Sequence, residues 1–226
     1  MVAGEPPGPS PSAAVHPSQR PRQQRLRRRI NNFFVYRAIR KAIRDCQPAG
    51  PVLMAPCGYG WFFDRFRRDG IEVIGVDIEP QAVAWARAAV SPPFPVFQGN
   101  VLQLPFVDGQ FEFVVANRFL LHFEEGFRAR AFRELARVTR RHLLVHYDAV
   151  SLHHLWRRLR GVRKPELSDH EMQGWRQAKR RERRLFYDPQ LATAEGAAAG
   201  LVIRGLYYPW HLLSERVYCL YEKATL

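Results

Sequence analysis

The strongest constraint on the fold is a glycine-containing turn that follows an apolar run and precedes a helical pattern. Residues 52–55 are apolar, residues 56–60 read PCGYG, and the next apolar run ends directly on Asp77. This order predicts a strand, a tight turn, a helix and a second strand that carries a carboxylate at its tip. Such a unit forms a pocket for a ribose-bearing cofactor at the carboxyl edge of a parallel sheet.

Apolar runs and helical patterns alternate along the rest of the chain, which predicts an α/β fold. Further strands are expected at residues 95–98, 111–116 and 142–147, with helices or short connections between them. This alternation favours a doubly wound, Rossmann-like sheet with helices on both faces. The last two apolar runs, 201–208 and 216–222, are joined by only about seven residues, which is too short for a parallel crossover. They are therefore expected to pair antiparallel.

The N-terminal part of the chain is expected to divide into a tail and a helix. Residues 1–19 consist mostly of Pro, Ser, Ala and Gly, and an Arg-rich run follows them. Residues 1–29 are therefore predicted to form a disordered basic tail. A helix is predicted to begin near Asn31 or Asn32, both good N-cap residues, and residues 30–226 are assigned to one domain.

The positive charge is concentrated in two segments. Of the formal net charge of +14, residues 1–30 carry +5 and residues 151–186 carry +7, which leaves +2 for the rest. Nucleic acid or an anionic membrane surface is a possible partner of the tail and of this basic insertion, and a solvated surface is the alternative. If the insertion covers the substrate, it would attract an anionic acceptor through Arg180, Arg181, Arg183 and Arg184.

The cysteines and the hydropathy of the chain indicate a location. Cys46, Cys57 and Cys219 show no CxxC spacing, and an odd number argues against a disulfide framework. No apolar stretch approaches the ~20 residues that span a bilayer, and the N-terminus lacks the apolar core of a signal peptide. The expected location is cytoplasmic, with an organellar transit peptide as the alternative for the Arg-rich leader.

Two classes of cofactor site place a glycine turn after the first strand and an acid after the second. A nicotinamide or flavin site has the spacing G-x-G-x-x-G, so Gly58 and Gly60 would require a third glycine at position 63. That position is Phe63. The helix packing that the third glycine permits is absent, and a dinucleotide site is therefore not expected.

Four motifs, in their order and spacing, resemble those of the class I S-adenosylmethionine (SAM)-dependent methyltransferases. The nearest branch is the type-11 and ubiquinone-biosynthesis group. The motifs are PCGYG at 56–60, GVD at 75–77, GNV at 99–101 followed by LPF, and FEFVVANRFLLH at 111–122. The resemblance covers about residues 50–150. It implies a seven-stranded, mostly parallel sheet with an antiparallel C-terminal strand, and SAM as the cofactor.

The resemblance also implies a role for individual residues at the carboxyl ends of the first four strands. Asp77 would accept hydrogen bonds from both ribose hydroxyls, and Ile78 would pack on the adenine. The turn that would wrap the methionine part consists of Pro56, Cys57, Gly58, Tyr59 and Gly60. The adenine edge would be contacted by Asn100 and Val101, and the floor of the site would be lined by Asn117 and Arg118.

Three positions depart from the family pattern. The acid that usually ends the first strand is Met54 here, and the first glycine of the turn is Pro56. The F-D pair of the fourth strand reads Phe111-Glu112, which is a milder change. The loss of the acid matters most, because in the family it helps to hold the ammonium end of the cofactor.

Methyl transfer requires a base only if the acceptor must lose a proton. His122, at the exit of the fourth strand, is the best candidate for that catalytic role, and a packed or surface histidine is the alternative. His146, Tyr147, His153 and His154 lie in or after the fifth strand near the same edge, and the sequence does not choose among them.

The function predicted from the sequence is SAM-dependent methyl transfer to a small or lipid-like acceptor, which could be anionic. One alternative is an RNA or protein methyltransferase that uses the basic tail and insertion. The other is a non-catalytic binding protein on the methyltransferase fold, which Met54 suggests.

Overall fold

The computed structural model describes residues 22–148, 187–210 and 216–224, and within them seven strands form one sheet. The strands are β1 (Val52–Met54), β2 (Val73–Asp77), β3 (Val96–Gln98), β4 (Phe111–Ala116), β5 (Thr139–Asp148), β6 (Leu201–Tyr207) and β7 (Arg216–Lys223). The helices are α1 (Arg22–Cys46), α2 (Phe63–Arg68), α3 (Pro80–Ala88), α4 (Glu125–Val138) and α5 (Pro189–Ala197).

The order of the strands in the sheet is β3-β2-β1-β4-β5-β7-β6. The first five strands run parallel, and β7 pairs antiparallel with both β5 and β6. This confirms the predicted α/β fold with an antiparallel C-terminal end. The basic insertion, with the four arginines assigned to it, lies outside the described residues, as do residues 1–21 of the predicted tail.

The two faces of the sheet are covered by different helices. Alternate strand residues point to opposite faces, so Met54 and Val115 face one side while Leu53 and Val114 face the other. The first side packs against α1, α2 and α3, and the second packs against α4 and α5. This is the doubly wound arrangement that the alternating pattern predicts.

The helix α1 begins at Arg22, earlier than the predicted start at Asn31 or Asn32. Residues 22–29, predicted to belong to the disordered tail, are therefore helical. Arg and Gln are good helix formers, and no proline occurs between Arg22 and Pro48, so the sequence offers no reason for the helix to stop at the asparagines. Its C-terminal half buries an apolar stripe of Val35, Ala38, Ile39, Ala42 and Ile43 against the sheet.

The cysteines are free thiols, and two of them are buried. Burial raises the pKa of Cys57 to about 12 and that of Cys46 to about 11.

None of the helices in the described residues combines the length and the apolar composition of a membrane span.

Candidate cofactor-binding site

The carboxyl ends of the first four strands lie side by side at one edge of the sheet. Backbone hydrogen bonds tie the loops that follow them to the neighbouring strands. The Gly99 N–H donates to the Asp77 carbonyl over 2.9 Å, and the Ala55 N–H donates to the Val115 carbonyl over 3.1 Å. The residues predicted to bind the cofactor therefore lie along a single edge.

The turn after β1 is anchored to β2. The Cys57 N–H donates to the Val76 carbonyl over 2.8 Å, and the Gly58 N–H donates to Oδ2 of Asp77 over 2.8 Å. Of the other turn residues, Pro56 is half-buried, and the half-buried Tyr59 ring lies 4.7 Å from Trp85. The glycine turn and the acid at the tip of β2 are thus one connected unit.

The two glycines of the turn have different surroundings, although both have positive φ angles, +55° at Gly58 and +66° at Gly60. A Cβ added at Gly60 would lie 3.0 Å from the Ala86 Cα, so this glycine allows α3 to approach the turn. A Cβ added at Gly58 would meet nothing within 4 Å. The backbone at Gly58 therefore borders open space, where a ligand can approach it closely.

Phe63 occupies the position of the third glycine of a dinucleotide site, and its side chain is fully buried. A Cβ at Gly60 or at Gly75 would come within 3.1 Å of its ring. The turn therefore packs on an aromatic ring. A dinucleotide site requires a close approach of helix and strand at this position, and the contact with the ring takes its place.

Asp77 is buried, with 8% of its surface exposed, and its carboxylate supports the turn. Besides the Gly58 N–H on Oδ2, the Glu79 N–H donates to Oδ1 over 3.0 Å. Burial raises the pKa of Asp77 above its usual range, and the backbone N–H donors of Glu79 and Gly58 oppose that shift. A carboxylate offers about four acceptor positions, so these two bonds leave room for further donors.

The residues after β2 and β3 differ in whether a side chain or only the backbone could contact a ligand. The apolar side chain of Ile78 is 54% exposed at the edge of the sheet. Asn100 is exposed, and its Oδ1 accepts a hydrogen bond from the Leu102 N–H over 2.9 Å, which shapes its own loop. The side chain of Val101 is buried in the core that faces α4, so its backbone is the part that could serve a ligand.

The end of β4 carries Asn117 and Arg118. Oδ1 of Asn117 accepts a hydrogen bond of 2.7 Å from the hydroxyl of the buried Tyr218 on β7. Arg118 is exposed and has a φ of +55°, which is uncommon outside glycine. Sequence analysis missed Tyr218, because the antiparallel pairing that places β7 beside β5 carries no local sequence signal for this contact.

His122 lies on an exposed 3-10 turn, Leu120–His122, that leads from β4 to α4. The loop after this turn is held by Arg128, whose Nη1 donates to the Phe123 carbonyl over 3.2 Å. The stacked rings of Phe123 and Phe127, with centroids 4.0 Å apart, also hold it.

His146, by contrast, is buried on β5 near the carboxyl edge, with 2% of its surface exposed. Burial holds the pKa of His146 well below its usual range, and the positive charges of Arg216, Arg118 and His122 act in the same direction. Charges at the ends of β4 and β7 thus act on this buried imidazole of β5.

Met54, which replaces the usual acid at the end of β1, is buried in the core on the α1 side of the sheet. Its side chain contributes packing rather than charge. The contacts of the turn with Val76 and Asp77 show how the glycine turn is positioned in this chain without that acid.

Comparison with known families and proteins agrees with this geometry. A family model described as a methyltransferase domain matches residues 53–144. Two probable S-adenosylmethionine-dependent methyltransferases from two strains of Mycobacterium tuberculosis are each 37% identical over 92 residues, which is 41% of this chain and 32% of theirs. The match thus spans about a third of the length of these curated relatives.

Solved structures extend the similarity of the fold to most of the chain. A magnesium protoporphyrin IX methyltransferase from Synechocystis, with bound SAH, has a TM-score of 0.63 at 14% identity. The matched region covers 87% of this chain and 85% of that protein's chain. A protein from Pyrococcus horikoshii has a TM-score of 0.62 at 20% identity over 93% of this chain and 97% of its own. Residues 53–144 are thus similar to a methyltransferase domain and to two probable SAM-dependent methyltransferases, and the fold of the chain is that of a solved methyltransferase.

Proposed function

We propose that this chain transfers a methyl group from SAM to a small or lipid-like acceptor that carries an anionic or acidic group. The observation that carries the proposal is the Asp77 carboxylate, which is buried, bonded to the glycine turn and still able to accept further hydrogen bonds. A carboxylate of this kind is suited to the two hydroxyls of a ribose. When bound, SAM supplies a methyl group on a positively charged sulfur.

The residues at the edge of the sheet fit such a cofactor. In this proposal the open backbone at Gly58 receives the methionine part, and the exposed Ile78 side chain packs on the adenine. The backbone of Asn100 and Val101 borders the adenine edge. The role of these residues is to hold both reactants in line, since positioning alone can supply roughly 7–11 kcal/mol of a barrier.

The acceptor is proposed to lie over β4, β5 and β7, beyond Asn117. The charges of Arg118 and Arg216 act on His146 at this end of the sheet. The positive charge of these two arginines favours an acceptor with an anionic or acidic group and disfavours a cationic one.

Calorimetric titration with SAM and SAH tests the cofactor site. Asp77→Asn keeps the size of the side chain but removes its charge, and we expect it to weaken SAH binding by at least about tenfold, or ~1.4 kcal/mol. The matched control is Asp64→Asn, which alters an exposed aspartate on α2 that is paired with Arg68. It should leave the affinity unchanged.

Two outcomes of this titration would count against the proposal. Equal affinity of the wild type and Asp77→Asn for SAH would remove the role given to Asp77. The absence of SAM and SAH binding to the wild-type protein would favour the non-catalytic alternative.

A further inference from the structure

His146 is a polar side chain whose burial is not compensated by hydrogen bonds within the described part of the protein. In the part of the chain that the structure describes, neither Nδ1 nor Nε2 has a hydrogen-bond partner. The nearest carboxylate oxygen, Oδ1 of Asp148, is 4.0 Å from Nε2, which is beyond hydrogen-bond distance. A buried polar group without a partner costs about 1–3 kcal/mol, so an imidazole at this position does not serve stability.

The position of His146 is next to the proposed cofactor site. It pairs with Tyr218 across β5 and β7, and the two ring centroids are 5.1 Å apart. The Tyr218 hydroxyl holds Asn117 at the end of β4, the strand between β1 and β5. Neighbouring strands are about 4.8 Å apart, so His146 lies roughly 10 Å across the sheet from the strand that carries the glycine turn. This is the side of the cofactor site where an acceptor can lie.

The charges around His146 restrict what it can bind. A neutral imidazole has one N–H donor and one acceptor nitrogen. The positive charges of Arg216 and Arg118 act on it, and Asp148 is the one acidic group that ion-pair geometry places near it in the described residues. A cationic amine would be repelled there, whereas a hydroxyl with an acidic proton could donate to the imidazole and keep its electron-rich oxygen near the arginines.

We propose that His146 binds the methyl acceptor directly, and that its imidazole accepts a hydrogen bond from an acidic hydroxyl of the phenol class. This inference rests on the proposed methyltransferase function and specifies the acceptor of that same site. It places the acceptor contact on the buried His146 of β5, whereas the sequence favoured the exposed His122.

Nuclear magnetic resonance of the SAH-saturated protein, labelled with ¹⁵N in its histidines, tests the proposal. The probes are phenol, whose ring carries a neutral hydroxyl, and benzylamine, whose ring carries a cationic amine on a methylene group. We expect phenol to shift the ring nitrogens of His146 and benzylamine to leave them unchanged. His142, on the same strand and the same face of the sheet, is the internal control and should respond to neither probe.

Two variants complete the test. His146→Gln should weaken phenol binding at least about fivefold, measured by line broadening of the ligand protons, and should leave SAH affinity within about twofold of wild type. His142→Gln should change neither affinity, and the two variants also assign the resonances.

The failures are distinguishable. If SAH binds normally but phenol shifts neither histidine, the role of His146 is overturned and the methyltransferase proposal stands. The same holds if SAH binds normally and His146→Gln retains full phenol affinity. A wild-type protein that does not bind SAH would overturn both.

Discussion

At the residue scale, the two glycines of the turn perform separate tasks. Gly58 and Gly60 both have positive φ angles, but only at Gly60 would an added Cβ meet other atoms, including the backbone of α3. A residue with a Cβ in the left-handed region costs roughly 1–2 kcal/mol. Where the Cβ also meets a packed backbone, overpacking adds typically 1–3 kcal/mol. The same substitution should therefore have unequal effects at the two positions.

Gly60→Ala is predicted to lower the free energy of unfolding by about 2–5 kcal/mol, and Gly58→Ala by only about 1–2 kcal/mol. Urea denaturation of both variants measures the difference. Gly50→Ala is the control, because Gly50 has an ordinary backbone conformation and open space around it, and it should change stability by less than about 0.5 kcal/mol. Equal losses at positions 58 and 60 would contradict the packing of α3 on Gly60.

His146 should make the stability of the protein depend on pH. Its pKa in the folded state is held well below 6.5 by burial and by the charges of Arg216, Arg118 and His122, with Asp148 nearby as the opposing charge. Below pH 6.5 the unfolded chain therefore binds a proton that the folded chain does not, and stability falls as the pH decreases. Above that pH both states are neutral at this residue, and the effect disappears.

Between pH 7.5 and pH 5.5 the wild type is predicted to lose about 1.4 kcal/mol more of its unfolding free energy than His146→Gln. Denaturation at the two pH values measures this difference. His142 also has a lowered pKa, chiefly through burial, so the variant should keep part of the acid sensitivity. The same loss in wild type and variant would show that His146 is protonated when folded.

At the scale of elements, α4 is held to α5 and the sheet by a buried polar network. Arg128 on α4 is buried, and its Nε lies 2.9 Å from Oε1 of Glu195 on α5. Oε2 of Glu195 accepts a 2.9 Å hydrogen bond from the hydroxyl of Tyr147, which is 2.8 Å from that of Tyr221. Since Arg128 also bonds to the Phe123 carbonyl, the network supports the loop that leads from His122 to α4.

Arg128→Met is predicted to lower the free energy of unfolding by about 3–5 kcal/mol, because it leaves the largely buried Glu195 carboxylate, with 12% of its side chain exposed, without its ion-pair partner. Urea denaturation measures the loss. Arg133→Met alters an exposed arginine on the same helix and should change stability by less than about 0.5 kcal/mol. Similar small losses in both variants would show that the network does not stabilise the contact of α4 with α5.

The elements themselves could be predicted from local patterns, but these contacts could not. The strand β4 lies at residues 111–116, where the apolar run predicted it, since that signal is local. Arg128 is one of the buried residues of α4, and its partner Glu195 belongs to another element. Its burial therefore depends on a long-range ion pair. The early start of α1 likewise shows that an N-cap residue does not begin a helix when helix formers precede it.

At the scale of the whole molecule, the sheet order brings four separate motifs to one edge. Gly58, Asp77, Asn100 and Asn117 lie at or just after the carboxyl ends of four adjacent strands, so their order along the chain was enough to place them together once the fold was predicted. Tyr218 and His146 could not be placed by motif, because they become neighbours of Asn117 only through the pairing of β7 with β5. The residues of the proposed cofactor site could therefore be placed together from the sequence, whereas those of the proposed acceptor site could not.

The most direct test of the account is a crystal structure of the protein with SAH bound. The account predicts that both ribose hydroxyls lie within hydrogen-bond distance of the Asp77 carboxylate. It also predicts that the methionine part lies against the backbone of Gly58 and that the adenine lies on Ile78. SAH bound elsewhere, or bound at this edge with its ribose away from Asp77, would contradict the account.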